Sequence, residues 1–202
     1  MFTKIIGKNA VPVGIAPAIM LVEPRFPHNV GMVVRLASCY GFSQVWFTGD
    51  RVRLEMDRMG RLPREERMKG YKDVKMIQFD RPLEQFPKDT VPVAVELRPN
   101  SERLHEFDHP EKAVYVFGPE DGSIPLSVLK CCHRFVVIPT RHCLNLATAC
   151  STVLWDRIIK KHIKGDNVDF TMTSDIVSSQ TNPADLGLYG ENDWPKSGGL
   201  GY

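Results

Sequence analysis

Short apolar runs recur along the chain, and segments with helical features separate them. The runs cover residues 18–23, 44–48, 74–79, 91–97, 113–117 and 135–138. They are rich in valine, isoleucine and phenylalanine, and most are nearly continuous instead of alternating with polar residues. Continuous runs of this length are typical of strands that are buried on both faces of a sheet. The pattern therefore predicts a set of buried strands.

Helical features occupy the intervals between these runs. Asn29 is a natural cap for a helix that ends near Tyr40, just before a glycine. A short helix is expected over 100–107 and another over 125–131, where a proline suits the first turn. The longest predicted helix covers 145–163 and precedes a glycine stop. This alternation of strands and helices predicts an α/β domain with a largely parallel sheet.

Two segments fall outside the alternation. Residues 50–73 contain eight lysines or arginines and are interpreted as a long charged insertion. Residues 166–202 are rich in glycine, serine, aspartate and asparagine, which favours a flexible, acidic C-terminal tail. We therefore expect an N-terminal extension over 1–17, one domain over 18–165 and a tail over 166–202.

The composition is that of a soluble globular protein and indicates one main domain. The chain has 202 residues, of which 43% are hydrophobic and 25% are charged. No apolar run approaches the roughly 20 residues of a membrane span, and the first residues lack the apolar core of a secretory signal. Five cysteines without regular spacing fit a reducing compartment. We therefore expect a cytoplasmic protein.

The charge is unevenly distributed along the chain. The formal net charge is +2, but the tail from residue 166 holds six acids and one base, so that residues 1–165 carry a net charge of +7. A basic body with an acidic tail is compatible with a polyanionic partner.

A cluster of cysteine and histidine residues raises the alternative of a zinc site. Cys131, Cys132 and His133 are adjacent, and His142 and Cys143 offer two further ligands. Adjacent residues of a helix or strand point in different directions, and the chain has no C-x-x-C pair. We therefore expect small, mostly buried thiols and no bound metal.

Three segments combine the end of a predicted strand with a loop or a helix start. They are 27–35 (PHNVGMVVR), 116–125 (VFGPEDGSIP) and 137–149 (VIPTRHCLNLATA). The first presents backbone N–H groups and Asn29 at a helix start, and the second presents two carboxylates in a loop rich in glycine and proline. Each segment alone has a structural explanation: Arg35 as a surface residue of a helix, a rigid turn with solvated carboxylates, and Asn145 as an N-cap.

Taken in order, the three segments resemble the signature motifs of SpoU/TrmH-type RNA 2′-O-ribose methyltransferases, which belong to the SPOUT superfamily. The motifs of that family are N-x-G-x-x-x-R, F-G-x-E-x-x-G-[IL]-P, and I-P-loop-S-[LM]-N-[LV] followed by small residues. The resemblance covers roughly residues 18–163. Two departures stand out, because Cys143 occupies the usual position of a serine and Ser123, directly before Ile124, occupies the position of the second glycine.

The resemblance implies a SPOUT-type α/β fold, in which helices flank a mostly parallel sheet. The last strands and the helix over 145–163 are expected to form a deep trefoil knot near the C-terminus. S-adenosyl-L-methionine is the implied cofactor, and a homodimer with composite active sites is the implied assembly. By their positions in the motifs, ten residues are expected to line the cofactor pocket: Val95, Glu96, Leu97, Gly118, Pro119, Gly122, Ile138, Cys143, Leu144 and Leu146.

The same resemblance implies methyl transfer to a ribose 2′-hydroxyl. The catalytic residues that it implies are Asn29, Arg35, Glu120 and Asn145. A sugar hydroxyl is a poor nucleophile, so removal of its proton needs assistance. An arginine normally stays protonated, which disfavours Arg35 as a general base. We instead expect Arg35 to bind the substrate phosphate and to lower the pKa of the hydroxyl, with the phosphate or Glu120 as the proton acceptor.

The charged insertion is the natural RNA-facing element. Its predicted RNA-binding residues are Arg61, Arg64, Arg67, Lys69 and Tyr71, the last as a platform on which a base stacks. The alternative is a solvated amphipathic helix, because acidic residues interleave with the basic ones.

Transfer RNA is the favoured substrate, because the compact members that this chain resembles act mostly on transfer RNA; ribosomal RNA is the alternative. A catalytically silent RNA-binding protein on the same fold is a further alternative, which the joint presence of Arg35, Glu120 and Asn145 disfavours. A Rossmann-like methyltransferase is disfavoured because no G-x-G-x-x-G follows an early strand.

Overall fold

A computed structural model of the chain describes residues 3–5, 17–59, 74–79, 89–166 and 168. The strands within these ranges are β1 (Thr3–Ile5), β2 (Ala18–Leu21), β3 (Gln44–Thr48), β4 (Lys75–Phe79), β5 (Val91–Val95), β6 (Glu102–Arg103), β7 (Ala113–Phe117) and β8 (Arg134–Val137). The helices are α1 (Pro27–Cys39), α2 (Arg51–Met59), α3 (Leu126–Leu129) and α4 (Leu146–Ile163), and a 3₁₀ turn spans Leu104–Glu106. Apart from Val168, the described residues belong to one compact unit that ends at Asp166.

The eight strands form one sheet. Their order across it is β1-β4-β3-β2-β7-β5-β8-β6, and every neighbouring pair is parallel. The prediction of an α/β domain with a mostly parallel sheet is therefore confirmed. In the part of the chain that the structure describes, no helix is long and apolar enough to cross a membrane.

The sheet is buried on both faces, as its continuous apolar runs predict. On β2, Ile19 and Leu21 pack in an apolar cluster that contains residues of α1 and α4. Ala18 and Met20 of the same strand pack in a second cluster, which contains residues of α3. Alternate residues of β7 divide between the two clusters in the same way. Since successive side chains of a strand point to opposite faces, helices cover both sides of the sheet.

Most predicted elements are present, with ends that differ by at most two residues. The runs at 44–48 and 113–117 are strands with these bounds. Helix α1 begins at Pro27 and not at Asn29, because a proline suits the first helical turn. The side chain of Asn29 is used in the site described below.

Two parts of the sheet differ from expectation. The predicted helix over 100–107 is wrong, because Glu102 and Arg103 pair with β8 and form an edge strand before the short 3₁₀ turn. Residues 3–5, within the predicted N-terminal extension, pair with β4 at the opposite edge. In both cases pairing with a distant strand determines the local conformation, which a local pattern does not report.

Only the beginning of the charged insertion is described. Helix α2 covers Arg51–Met59. The predicted RNA-binding residues Arg61, Arg64, Arg67, Lys69 and Tyr71 lie outside the described residues, as does almost all of the predicted tail.

The parallel arrangement places the carboxyl ends of four strands side by side. Leu21 of β2 and Val95 of β5 are both in register with Phe117 of β7. Val95 is also in register with Val136 of β8. The loops that follow these strands therefore leave the sheet at one edge, where ligands bind in open α/β sheets.

A buried polar network fixes α4 to the segment that precedes β7. Arg157 of α4 donates hydrogen bonds to two backbone carbonyls of that segment, at 2.6 and 2.8 Å, and to the hydroxyl of Tyr115 at 3.2 Å. His109 lies 2.6 Å from the same hydroxyl through Nδ1, and 2.8 Å from Asp156 Oδ2 through Nε2. The His109 side chain is only 3% exposed.

This network accommodates a neutral imidazole. Arg157 donates to the hydroxyl of Tyr115, which in turn has a proton to donate to Nδ1 of His109, while Nε2–H donates to Asp156. Burial lowers the pKa of His109 from 6.5 to about 4, although Asp156 acts in the opposite direction. Burial also raises the pKa of Tyr115 to about 12, so that its hydroxyl keeps its proton at neutral pH.

The free energy of unfolding is expected to fall as the pH is lowered from about 7.5 to about 5. The folded protein protonates His109 only near pH 4, whereas the unfolded chain protonates it near the ordinary pKa of about 6.5. Acid therefore favours the unfolded state through this residue. Its contribution is on the order of 2 kcal/mol at pH 5. Urea unfolding across this pH range measures the loss.

His109→Gln is the variant that isolates this effect. It should be less stable than the wild type at pH 7.5 but should lose less stability on acidification. His133→Gln is the matched control, because His133 is exposed, and it should retain the pH dependence of the wild type. An equal acid-induced loss in the wild type and in His109→Gln would contradict a neutral, buried imidazole.

Candidate active site

The carboxyl ends of β5, β7 and β8 open into a cavity of about 490 Å³. The strand ends, the loops that follow them and the beginning of α4 form its walls. The volume falls in the range of small-molecule sites. All ten residues predicted for the cofactor pocket line this cavity: Val95, Glu96, Leu97, Gly118, Pro119, Gly122, Ile138, Cys143, Leu144 and Leu146.

The loop after β7 folds back over the end of its own strand, and Gly118 makes this close approach possible. A side chain here would bring its Cβ to 3.1 Å from both Cγ1 and the backbone nitrogen of Ile124. Ile124 is 2% exposed and has little space to move away. Ser123, at the position of the second glycine of the motif, is exposed. Its side chain is therefore accommodated on the solvent side of the loop.

Glu96 connects the end of β5 with the loops on either side. Its carboxylate accepts hydrogen bonds from the backbone N–H of Ile124 (2.9 Å) and of Leu97 (3.2 Å). Its own backbone N–H donates to the carbonyl of Val136 in β8 (3.0 Å). Glu96 was expected in the cofactor pocket; in the structure its carboxylate holds the loops that form the wall of the cavity.

Side chains from all three motifs form one chain of hydrogen bonds. Asn29 Nδ2 donates to Glu120 Oε1 (2.8 Å), and Asn145 Nδ2 donates to Asn29 Oδ1 (2.9 Å). Asn145 Oδ1 accepts from the backbone N–H groups of Ala147 (2.9 Å) and Thr148 (3.4 Å) and so caps α4. The structure thus brings together three of the four residues predicted to be catalytic.

Both carboxylate oxygens of Glu120 accept hydrogen bonds from protein N–H groups. Oε2 accepts from the backbone of Arg25 (2.8 Å), and Oε1 accepts from the backbone of Phe26 (3.3 Å) as well as from Asn29. Three of about four acceptor positions are therefore occupied. This arrangement favours a positioning role, in which Glu120 holds the start of α1 against the loop after β7, over a role as proton acceptor.

Arg35 lies further along α1 than Asn29, the residue of this helix that takes part in the chain of hydrogen bonds. Arg35 follows Asn29 by six positions, which corresponds to about 9 Å along the helix axis and about 240° of rotation. Arg35 is exposed, and so are His28, Met32 and Cys39 of the same helix. Helix α1 therefore presents Arg35 on its outer surface.

Two arginines that sequence analysis did not single out meet at the same edge of the sheet. Arg51 donates two hydrogen bonds to the carboxylate of Asp121, at 3.0 and 2.7 Å. Arg25 donates to the same carboxylate at 3.1 Å. The hydrogen bonds from Arg51 are the main reason why the pKa of Asp121 lies at about 2. Asp121 is 70 positions from Arg51 and 96 positions from Arg25 in the chain, so no local pattern reveals these contacts.

The cysteines differ in their exposure. Cys132 and Cys150 are buried, and burial raises the pKa of both thiols, that of Cys132 to about 12. Cys143 is exposed and lines the cavity. Among the described residues, no group of three or more His, Cys, Asp or Glu side chains is arranged to hold a metal ion.

A parallel α/β sheet with a ligand-sized cavity and a polar network at the carboxyl ends of its strands is typical of α/β proteins that bind a small molecule there. Residues 16–155 match the profile of the SpoU rRNA Methylase family. The match covers more than half of the chain, and the protein belongs to this family. Family membership confirms the prediction of an S-adenosyl-L-methionine-dependent RNA 2′-O-ribose methyltransferase of the SpoU/TrmH type.

Several solved structures share the fold. A TrmH/SpoU tRNA modifying enzyme from A. aeolicus has a TM-score of 0.63 and 18% sequence identity, over 73% of this chain and 76% of that chain. A structure that concerns the 2-OH methylation of C/U34 on tRNA has a TM-score of 0.61 and 24% identity, over 72% of this chain and 90% of that chain. An AdoMet-bound rRNA methyltransferase from Sinorhizobium meliloti has a TM-score of 0.59 and 21% identity, over 76% of this chain and 59% of that chain. None of the curated proteins has a significant sequence match to this chain.

Substitution is expected to separate the two contacts of Asn145. Asn145→Ala removes both the cap and the bond to Asn29, and should lower the free energy of unfolding by about 1 kcal/mol. Asn145→Asp keeps an effective cap but replaces the N–H donor to Asn29 by an oxygen. Its stability should stay near that of the wild type while methyl transfer is lost. Urea unfolding and a methyl-transfer assay measure the two quantities, and full activity of Asn145→Asp would show that the contact with Asn29 is dispensable.

Proposed function

We propose that this enzyme binds S-adenosyl-L-methionine in the cavity and methylates the ribose 2′-hydroxyl of a transfer RNA. The observation that carries the proposal is the convergence of the three motifs at one edge of the sheet. The ten residues expected to bind the cofactor line one cavity, and Asn29, Glu120 and Asn145 are joined by hydrogen bonds.

Two of the solved structures that share the fold concern transfer RNA, and they support transfer RNA as the substrate. They are the A. aeolicus TrmH/SpoU tRNA modifying enzyme and the structure on the methylation of C/U34 on tRNA. Ribosomal RNA is the second candidate, because the family is named for it. The basic residues of 51–72 remain the predicted contact with either RNA.

The cavity suits a cofactor with a purine base. Leu97, Ile138 and Leu146 offer apolar contact area, while the strand ends and Gly118 offer backbone N–H and C=O groups for the edges of a base. The glycine also allows the loop after β7 to pack closely against Ile124. When bound, S-adenosyl-L-methionine supplies the electrophilic methyl group of its sulfonium.

On the substrate side, the protein positions the ribose and assists the loss of its proton. Asn29 and Asn145 fix the geometry beside the ribose. Arg35 binds a phosphate of the substrate, and its positive charge lowers the pKa of the 2′-hydroxyl. Because Glu120 already accepts three protein N–H groups, the proton passes to the substrate phosphate.

We infer a homodimer in which Arg35 of one subunit completes the cavity of the other. Helices α1 and α4 pack against each other. Their exposed residues include the large apolar side chains Met32 (38% exposed) and Trp155 (50% exposed), and Arg35 belongs to the same exposed side of α1 as Met32. Large apolar side chains exposed on two helices that pack together are typical of protein interfaces.

We also propose that the chain forms the deep trefoil knot of SPOUT proteins. Strand β8 lies between β5 and β6, although the chain passes from β5 to β6 first. The connection over 96–101 therefore crosses the position of β8. Helix α4 packs beside the 3₁₀ turn that follows β6, where Lys160 Nζ donates to the carbonyls of Leu104 (2.5 Å) and Phe107 (3.0 Å). Passage of the segment after β8 through the loop over 96–107 produces the knot.

Methyl transfer to fractionated RNA tests the proposed substrate. The purified full-length protein is incubated with methyl-labelled S-adenosyl-L-methionine and with transfer RNA or ribosomal RNA from cells that lack the gene. We expect label in transfer RNA, with a 2′-O-methylated nucleotide located by mapping of the modified position. Label in ribosomal RNA alone would establish the second candidate instead. Cofactor binding without label in either fraction would contradict the activity.

Arg35→Ala is expected to reduce methyl transfer by at least about a hundredfold, because the developing charge loses its cationic partner. Cofactor affinity and the free energy of unfolding should change little. Arg134→Ala is a matched control, since Arg134 lies at the amino end of β8 and forms an ion pair with Glu102, and it should retain activity. Near-normal turnover of Arg35→Ala would refute the catalytic assignment.

Mixing two inactive variants tests the composite site. In a heterodimer of Arg35→Ala and Asn145→Asp, one of the two cavities combines an intact Asn145 with an intact Arg35 from the other subunit. Activity should therefore reappear after the two proteins are refolded together. If Arg35 acts within its own subunit, neither cavity is intact and the mixture stays inactive.

A further inference from the structure

The lining of the cavity contains three carboxylate or guanidinium side chains, and two of them are engaged within the protein. Glu96 accepts hydrogen bonds from the backbone of Ile124 and Leu97, and Glu120 accepts the three described above. Arg141 is the third. It is exposed, and no residue in the described ranges forms an ion pair or a hydrogen bond with its guanidinium.

The loop between β8 and α4 carries Arg141 within a closed turn. The hydroxyl of Thr140 donates a hydrogen bond to the carbonyl of His142 (2.8 Å). Four residues after Arg141, Asn145 caps α4 and donates to Asn29. Arg141 therefore lies at the exposed rim of the cavity, on the loop that also supplies the network of the catalytic residues.

Arg141 differs from the other arginines of this edge, which have a counter-charge among the described residues. Arg25 and Arg51 share the carboxylate of Asp121. Within the described part of the chain, Arg141 has no acidic partner, so that its full charge is available to an anionic ligand. A guanidinium forms two parallel hydrogen bonds with a phosphate or a carboxylate.

We propose that Arg141 binds the backbone phosphate next to the methylated ribose of the substrate RNA. This assignment rests on the proposed function. Each ribose of an RNA chain is flanked by phosphates, so a ribose held beside Asn145 brings a phosphate to the rim. The exposure of Arg141 at the rim favours this ligand over the carboxylate of the cofactor. Arg141 is a substrate-binding residue, and its charge fixes the register of the RNA at the cavity.

Arg141→Gln removes the charge and keeps a polar side chain of similar length. The affinity of the full-length protein for bulk transfer RNA is measured at several salt concentrations, and its affinity for S-adenosyl-L-methionine is measured by calorimetry. We expect RNA binding to weaken about tenfold at low salt, and the slope of log affinity against log salt to fall by about 0.7 to 0.9. Cofactor affinity should be unchanged. Arg141→Lys should restore the slope but only part of the affinity.

Lys75→Gln is the matched control. Lys75 is an exposed cation at the amino end of β4, whereas the cavity lies at the carboxyl ends of the strands. It should leave the salt slope and both affinities unchanged. An unchanged salt slope for Arg141→Gln together with reduced cofactor affinity would assign Arg141 to the cofactor carboxylate and overturn the proposal. No change in either affinity would overturn it as well.

The measurements distinguish a wrong choice of substrate RNA from a wrong role for Arg141. A wild-type protein that binds S-adenosyl-L-methionine but not transfer RNA would contradict the proposed substrate. The same comparison of Arg141→Gln with the wild type is then made with ribosomal RNA, and the loss of one phosphate contact is again the expected result.

Discussion

The chain of hydrogen bonds from Glu120 through Asn29 to Asn145 holds the three loops of the site at fixed distances from one another. Each side chain follows a different strand, and these strands belong to one parallel sheet whose carboxyl ends are aligned. Asn145 also caps α4, so that the start of this helix and the rim of the cavity are coupled. Further along α4, the buried Arg157 fixes the helix to the sheet, together with His109 from the segment before β7. The geometry of the site thus depends on two sets of contacts of α4, one at its N-terminal end and one further along the helix.

The charges around the site are divided into two groups. The carboxylates accept N–H groups of the protein: Glu96 and Glu120 from the backbone and Asp121 from two arginines. These acids shape the loops, and their charge is largely compensated. The cations Arg35 and Arg141 are instead exposed. A polyanionic substrate therefore meets positive charge at the surface, while these carboxylates are engaged with N–H groups of the protein.

The sequence by itself determined the class of fold and the composition of the cavity. Continuous runs of valine, isoleucine and phenylalanine identify strands that are buried on both faces, and their alternation with helices implies a parallel sheet. In such a sheet, the residues that follow successive strands gather at one edge. The motifs that the chain shares with a known family implied that residues as distant as Val95, Gly118 and Leu146 share one pocket, and the structure places them in one cavity.

Only the tertiary structure decided what the polar side chains do. Asn29 looked like a helix cap in the sequence, yet its partners are Glu120 and Asn145, which are 91 and 116 positions away. The edge strand at 102–103 and the shared carboxylate of Asp121 likewise depend on distant partners. The spacing of hydrophobic residues is a local property, because burial of one helix face or strand face recurs within a few residues. It can therefore be recognised in a sequence. A hydrogen bond between side chains requires donor and acceptor to meet at about 3 Å, and that distance exists only after the chain has folded.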